Sequence, residues 1–234
     1  MDLQVLLYVF LGGLLPAALW LWFWLKEDSA HPEPRGLIFV TFVAGMIAVI
    51  LVLPIQQIIC SYVSCGSSTS VFASFFLALA EETVKFLAAY AIALRSRAFD
   101  EPIDAVIFMV TAALGFTALE NMLYIFDALT DSGLVHSIIT GNMRFIGASL
   151  LHIMASAVVG LSLALSFYKT KYERFRIVFC GLVAATALHT LFNLTIISSS
   201  SSNILLTFLV LWFSVVGLLL FFEKIKRLNQ INTI

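Results

Sequence analysis

Between Leu3 and Phe222 the chain consists of seven mainly apolar stretches of about 20 residues, separated by short polar connections. A helix rises about 1.5 Å per residue and the hydrocarbon core of a bilayer is about 30 Å thick, so each stretch is long enough to cross it. Lipid leaves no partner for an unpaired backbone group, which restricts spanning structures to helices and closed barrels, and these lengths select helices. The spans are predicted near Leu3–Leu25, Gly36–Ile59, Val71–Leu94, Ile103–Phe126, Phe145–Phe167, Ile177–Ile197 and Ile204–Phe222. The expected fold class is all-α, a polytopic membrane helical bundle of about seven transmembrane helices. Charged residues make up 12% of the 234, about half the roughly 25% that clothes a soluble domain. With no internal repeat and no room for a soluble domain, residues 1–234 read as one integral-membrane domain. Net charge is −1, and no basic run interleaves with surface aromatics, which argues against a nucleic-acid partner.

The first stretch lacks the basic leader of a signal peptide, carries Asp2 instead and is too long, so it is expected to be retained. Pro16, after Gly12 and Gly13, suggests a kink within it. Orientation follows from Lys and Arg. The first, third and fifth connections and the tail hold Lys26, Arg35, Arg95, Arg97, Lys169, Lys171, Arg174, Arg176, Lys224, Lys226 and Arg227, 11 of the 13. The second and sixth connections hold none, and the fourth holds only Arg144 beside Asp127 and Asp131. The N-terminus is expected outside and the C-terminus in the cytoplasm. Trp20, Trp22 and Trp24 beside Lys26 fit an interfacial aromatic belt. Cys60 and Cys65 fall in an outward loop where a local disulfide is open to them, although two free thiols is the simpler reading. Cys180 reads as a small buried apolar residue.

The thirteenth basic residue, Lys85, lies inside the third span with Glu81 and Glu82. A charge at mid-membrane costs about 2.5–3.5 kcal/mol on insertion scales, so each such residue is a candidate for function. The fourth span adds Glu120 and Asn121, the fifth His152, and the sixth His189 and Asn193. Asp104, at a helix start, reads as a structural N-terminal charge. Counted inward from the outer ends at about 1.5 Å per residue, Glu81 lies about 15 Å deep, Glu120 about 9 Å, His152 about 10 Å and His189 about 12 Å. Four helices oriented without reference to these residues thus bring them to one layer, in the outer half of the membrane.

Helical phase lets Glu81 pair with Lys85 and turns Glu82 about 100° away toward another neighbour. It also puts Phe116 beside Glu120, and His189 beside Asn193. Ala78, Ala80, Ala112, Ala113, Gly115, Ala148, Ala155, Ser156, Ala184 and Ala185 allow close helix approach around them. Singly, each polar residue has an ordinary role: a Glu–Lys pair locks two helices, and a histidine bonds a carbonyl. As a layer of carboxylates, imidazoles and a carboxamide they form a set suited to acyl hydrolysis. A carboxylate can take a proton from water to make a nucleophile, and His or Asn can donate to the oxyanion that follows. Ser149 and Ser156 flank His152 and read as packing groups.

The series Glu81-Glu82-x-x-Lys85-Phe86, Phe116-x-x-x-Glu120-Asn121, His152 and His189-x-x-x-Asn193 resembles the four-motif pattern of the PrsW family of intramembrane proteases. That family sits in a wider group with the CAAX prenyl endopeptidases and bacteriocin-processing proteins. The resemblance covers about residues 70–195 and implies a single protease domain with a catalytic four-helix core at about 70–197. It implies that Glu81 activates the hydrolytic water with Glu82 as its motif partner, and that His189 and Asn193 form the oxyanion-binding element. It also implies a site role for His152 and Glu120, with Lys85, Phe116 and Asn121 in support. Glu120 where the CAAX pattern has His, and Lys85 where it has Arg one position later, favour peptide hydrolysis over prenyl-protein substrates. Some relatives are similar in role to proteases that cut single-span anti-sigma factors on the outer side. The implied partner is therefore a membrane-anchored protein or similar regulator, and the implied setting a prokaryotic plasma membrane.

No cofactor is favoured. Zinc held by Glu81, Glu120, His152 and His189 is the alternative, although no HExxH motif is present and Asn193 is a poor zinc ligand. From other classes, a proton- or ion-coupled transporter would use the same residue types, but repeats, paired broken helices and a full-thickness polar path are missing from the sequence. An inert scaffold would not need the complete motif set. The connection Asp127–Asn142, with apolar Leu134–Ile139, reads as an outward surface loop suited to gating a substrate.

Overall fold

The computed structural model describes residues 3–27, 32–63, 65, 70–197 and 201–232, with side chains described except at 27, 196–197, 201–208 and 225–232. Asp2, residues 64 and 66–69 of the second connection, and the side chains of Lys226 and Arg227 lie outside the described residues. The elements are α1 (Leu3–Glu27), α2 (Arg35–Tyr62), α3 (Val71–Ile92), α4 (Pro102–Ser132), α5 (Leu134–Met143), a π-helical turn (Arg144–Ala148), α6 (Ser149–Leu165), α7 (Lys171–Ile197) and α8 (Ser201–Asn232). The segment from α5 through the π turn to α6 runs on as one rod, Leu134–Leu165, so the described residues form seven helical rods. No strand occurs among the described residues.

Among the described residues, five rods are long and apolar enough to cross a membrane by length and composition: Leu3–Lys26, Arg35–Tyr62, Pro102–Ser132, Leu134–Leu165 and Lys171–Thr195. The 22-residue α3 differs from them in carrying Glu81, Glu82 and Lys85 at its centre. Several ends differ from expectation. Helix α7 begins six residues before Ile177, and α8 runs ten residues past Phe222, because polar flanks continue a helix once an apolar span has nucleated it.

Helix α4 is the core. Every residue from Pro102 to Ala118 is buried, consistent with a segment apolar on all faces. Its start is set by Pro102 and by a capping box in which Asp104 Oδ2 accepts from the backbone N–H groups of Asp100 at 3.0 Å and Glu101 at 2.7 Å. Asp104 is therefore structural, as expected. Glycines bring the neighbours close. A Cβ on Gly45 of α2 would stand 2.0 Å from the Ala112 carbonyl oxygen, and one on Gly115 of α4 would stand 1.9 Å from that of Phe42. Gly160 of α6 similarly faces the Val106 backbone, at 2.7 Å from its Cα. Packing of this kind, not burial from water, holds helices together in lipid.

Four expectations need correction. Asp127–Asn142 is not a loop: α4 runs on to Ser132, Gly133 turns the chain at φ 83°, and α5 follows. Trp24 is no belt residue but is buried edge-on against Phe222 of α8 at 5.5 Å, whereas Trp22 is exposed with Lys26 Nζ 5.4 Å above its ring. Cys60 and Cys65 are joined in a disulfide, with Cα atoms 5.3 Å apart, because the end of α2 folds back within five residues. Cys180 is exposed on α7, since an outward helix face in an integral membrane protein meets lipid and not a protein core. Pro16 lies within an unbroken α1.

Candidate active site

The buried stripe of α3 runs through Ser74, Ala78, Glu81, Glu82, Lys85 and Ala89, so the helix turns its charges inward and its apolar residues outward. That polarity inversion is what lipid demands of a span carrying ionisable groups. Helices α4, α6 and α7 meet this stripe with Glu120, His152 and His189, and the expected single layer becomes one connected array.

Glu82 lies at its centre, completely buried. Its Oε1 accepts from Lys85 Nζ at 2.6 Å and from His189 Nδ1 at 2.7 Å, and its Oε2 accepts from Ser156 Oγ at 3.3 Å. Lys85 therefore pairs with Glu82, three residues away, and not with Glu81 as the four-residue spacing suggested. The reason is a third helix: Lys85 Nζ also lies 2.9 Å from His152 Nδ1 of α6 and 5.0 Å above the Phe116 ring, which draw it off the Glu81 line. Phe116 packs on the His152 ring, 5.5 Å away between centroids.

An ammonium has only donors to offer, so His152 accepts at Nδ1, and its Nε2–H donates to Glu120 Oε2 at 3.0 Å. The His152 and His189 rings meet edge to face at 5.1 Å. His189 gives its Nδ1–H to Glu82, leaving Nε2 directed at Glu81 Oε2, 3.6 Å away. Glu81 Oε1 takes a 2.9 Å hydrogen bond from Gln56 Nε2 of α2, whereas Oε2 is buried without a hydrogen-bond partner. Asn193, one turn beyond His189, is half-buried and joins none of these hydrogen bonds among the described residues. Asn121 donates to Ser149 Oγ at 3.3 Å and accepts from Arg144 Nε at 2.6 Å.

Four participants were not legible as such. Gln56 is one of two adjacent amides, with Gln57, near the end of an apolar span. Arg144, paired with Glu120, was visible only as the one base in the fourth connection. Ser149 and Ser156, read as packing groups, both hydrogen-bond within the array.

A metal ion is compatible with part of this set. One donor atom each from Glu81, His152 and His189 lie within 4.8 Å of one another, and the orphaned Glu81 Oε2 is among the carboxylate atoms on offer. His189 has the disposition common to metal-ligating histidines, one ring nitrogen on a carboxylate and the other free. His152 would have to release Lys85 or Glu120 to contribute, because each of its nitrogens already has a partner. Glu120, expected as a fourth ligand, lies outside the group and is tied to His152 and Arg144.

A family profile described as PrsW family intramembrane metalloprotease matches residues 33–220. A Protease PrsW of Oceanobacillus iheyensis is 26% identical over 230 residues, covering 98% of this chain and 99% of that one. One from Clostridioides difficile is 26% identical over 189 residues, 79% of this chain and 77% of its own, and one from Bacillus subtilis is 25% identical over 226 residues, 94% and 95%. No solved structure matches.

Proposed function

The chain belongs to the PrsW protease family, and from that premise we propose that it is an intramembrane endopeptidase that uses Glu81 to activate water against a peptide bond of a membrane-anchored protein. What supports the reading is Glu81 itself, a buried carboxylate with one oxygen held by Gln56 and the other left without a hydrogen bond. An acceptor kept free in a dry site is what a general base needs.

In this reading Glu81 Oε2 takes a proton from water, and the resulting hydroxide oxygen bonds to the substrate carbonyl carbon as the C=O pair moves onto oxygen. The Asn193 amide, and His189 when its Nε2 carries a proton, donate to that oxyanion. On collapse the C–N bond breaks, and the leaving nitrogen takes the proton from Glu81. Glu82, Lys85, His152 and Glu120 keep the His189 imidazole in place through the bonds described above, and Gln56 holds the base.

A second reading rests on the proximity of Glu81, His152 and His189. Those three would hold a metal ion, which would supply Lewis acidity to water or carbonyl. The two readings separate on purified protein in vesicles with a single-span reporter protein. Glutamate catalysis expects cleavage that survives chelation in protein without stoichiometric zinc. Zinc at one per chain, lost together with activity on chelation and restored by zinc, would overturn it. Full cleavage by Glu81→Gln, Glu120→Gln and His189→Ala alike would overturn the site.

A further inference from the structure

Arg144 opens the π-helical turn between α5 and α6. Such a turn shifts side chains off the α-helical register and recurs at functional sites. Here it aims the guanidinium at α4. Nη2 pairs with Glu120 Oε2, Nε donates to Asn121 Oδ1 at 2.6 Å, and the guanidinium lies 3.8 Å from the Tyr124 ring centroid. Asn121 donates to Ser149 Oγ at 3.3 Å, and Ser149 Oγ donates to the Arg144 carbonyl oxygen at 3.1 Å. The bonds thus close a ring around the turn. The Arg144 and Glu120 side chains are each 16% exposed, so this pair sits at the edge of the buried array and not on an open surface.

The same Glu120 Oε2 that Arg144 holds also takes the Nε2–H of His152. Which nitrogen of a histidine carries its proton is set by the partner of the other. With Glu120 in place, the His152 lone pair is at Nδ1 and meets Lys85, and Lys85 in turn meets Glu82, which holds His189.

We propose that Arg144 is a positioning residue for the hydrolytic site: it holds Glu120, and through Glu120 the tautomer of His152 and the register of Lys85, Glu82 and His189. This rests on the reading of Glu120 as part of that site. Arg144 reaches no group assigned to the water or the scissile bond, so its loss should appear in turnover and not in substrate binding.

The test measures kcat and KM on the single-span reporter, and Tm, for the full chain carrying Arg144→Gln, Arg144→Lys, Glu120→Gln and the Arg144→Gln/Glu120→Gln pair. For Arg144→Gln kcat should fall about 10–100-fold, the range typical of residues that orient ligands and bases, with KM within about twofold. Arg144→Lys, which keeps the charge but cannot reach Glu120 and Asn121 together, should recover only part of the loss. The Tm losses of the two single Gln variants should exceed in sum that of the pair, because the pair removes both charges of one contact. The proposal is overturned if folded Arg144→Gln keeps its kcat, if its deficit lies in KM, or if Arg144→Lys is as impaired as Arg144→Gln. Where Arg144→Gln does not fold, Arg144→Lys decides alone: a lowered kcat with KM within about twofold supports the proposal, and an unchanged kcat or a deficit confined to KM overturns it. An inactive Glu120→Gln beside a fully active Arg144→Gln removes only the role of Arg144, whereas a fully active Glu120→Gln removes the site reading as well.

Discussion

Glu82 Oε1 and His189 Nδ1 are 2.7 Å apart although 107 residues separate them in the chain. The adjacent Glu81 has a single 2.9 Å hydrogen bond, from Gln56. The two glutamates of the pair are thus differently employed, Glu82 as the knot of the array and Glu81 as its free end. Glu81→Gln is expected to leave Tm nearly unchanged and to lower reporter cleavage by about 10²–10⁴-fold, the usual worth of a general base. Parallel thermal unfolding and cleavage assays check it, and a large fall in Tm would reverse the division of roles.

Lys85 and Glu82 form a buried pair with 0% side-chain exposure on either side. Removing one member strands the other, at about 3–5 kcal/mol. Lys85→Met should therefore destabilise strongly, and Lys85→Met with Glu82→Leu should regain much of that stability without regaining activity. Unfolding of Lys85→Met, Glu82→Leu and the pair in detergent measures this, and additive losses would refute the coupling.

The crossing of α2 and α4 depends on Gly45 and Gly115 lying backbone to backbone. A methyl at Gly45 has no flexible neighbour to displace, so Gly45→Ala should cost about 1–3 kcal/mol. Gly36, whose added Cβ meets nothing within 4 Å, is the control, and Gly36→Ala should be neutral or slightly stabilising. Equal stability of the two variants would show that the helices do not approach as described.

With Cys60 and Cys65 paired and Cys180 exposed, unreduced protein should take up one alkyl group per chain and reduced protein three. Intact mass before and after reduction reads this directly. Three groups without reduction would contradict the bridge.

Charge asymmetry among the connections predicts that the basic ends of the spans face the cytoplasm. A reporter enzyme active only in the cytoplasm, fused after Ile234, should be active, and one fused before Leu3 should be silent. The opposite pattern would invert the bundle and move the polar layer to the inner half.

Much of the fold was legible because a bilayer imposes a length and a polarity on every span, and the seven rods fall where the apolar stretches predicted them. Their ends were less legible, since Lys171–Arg176 and Glu223–Asn232 are polar yet continue helices by propagation alone. At the site, the identities of Glu81, Glu82, Lys85, Glu120, His152 and His189 were readable because ionisable groups inside apolar runs are costly and so conspicuous. Their partners were not. Helical phase on one helix allowed Lys85 to face Glu81, and only the approach of α6 with His152 drew it to Glu82.

The sequence by itself determined that the chain crosses a membrane as helices, which few residues break that apolar rule, and which family their order resembles. Tertiary structure alone decided who bonds to whom: Glu82 and not Glu81 at the centre, Gln56 on the base, Arg144 on Glu120, Cys60 on Cys65. The physical reason is range. Transfer cost belongs to each residue and its near neighbours in the chain, so it can be read along the sequence. A hydrogen bond belongs to two groups within about 3 Å, and only the packing of α2, α3, α4, α6 and α7 sets that distance.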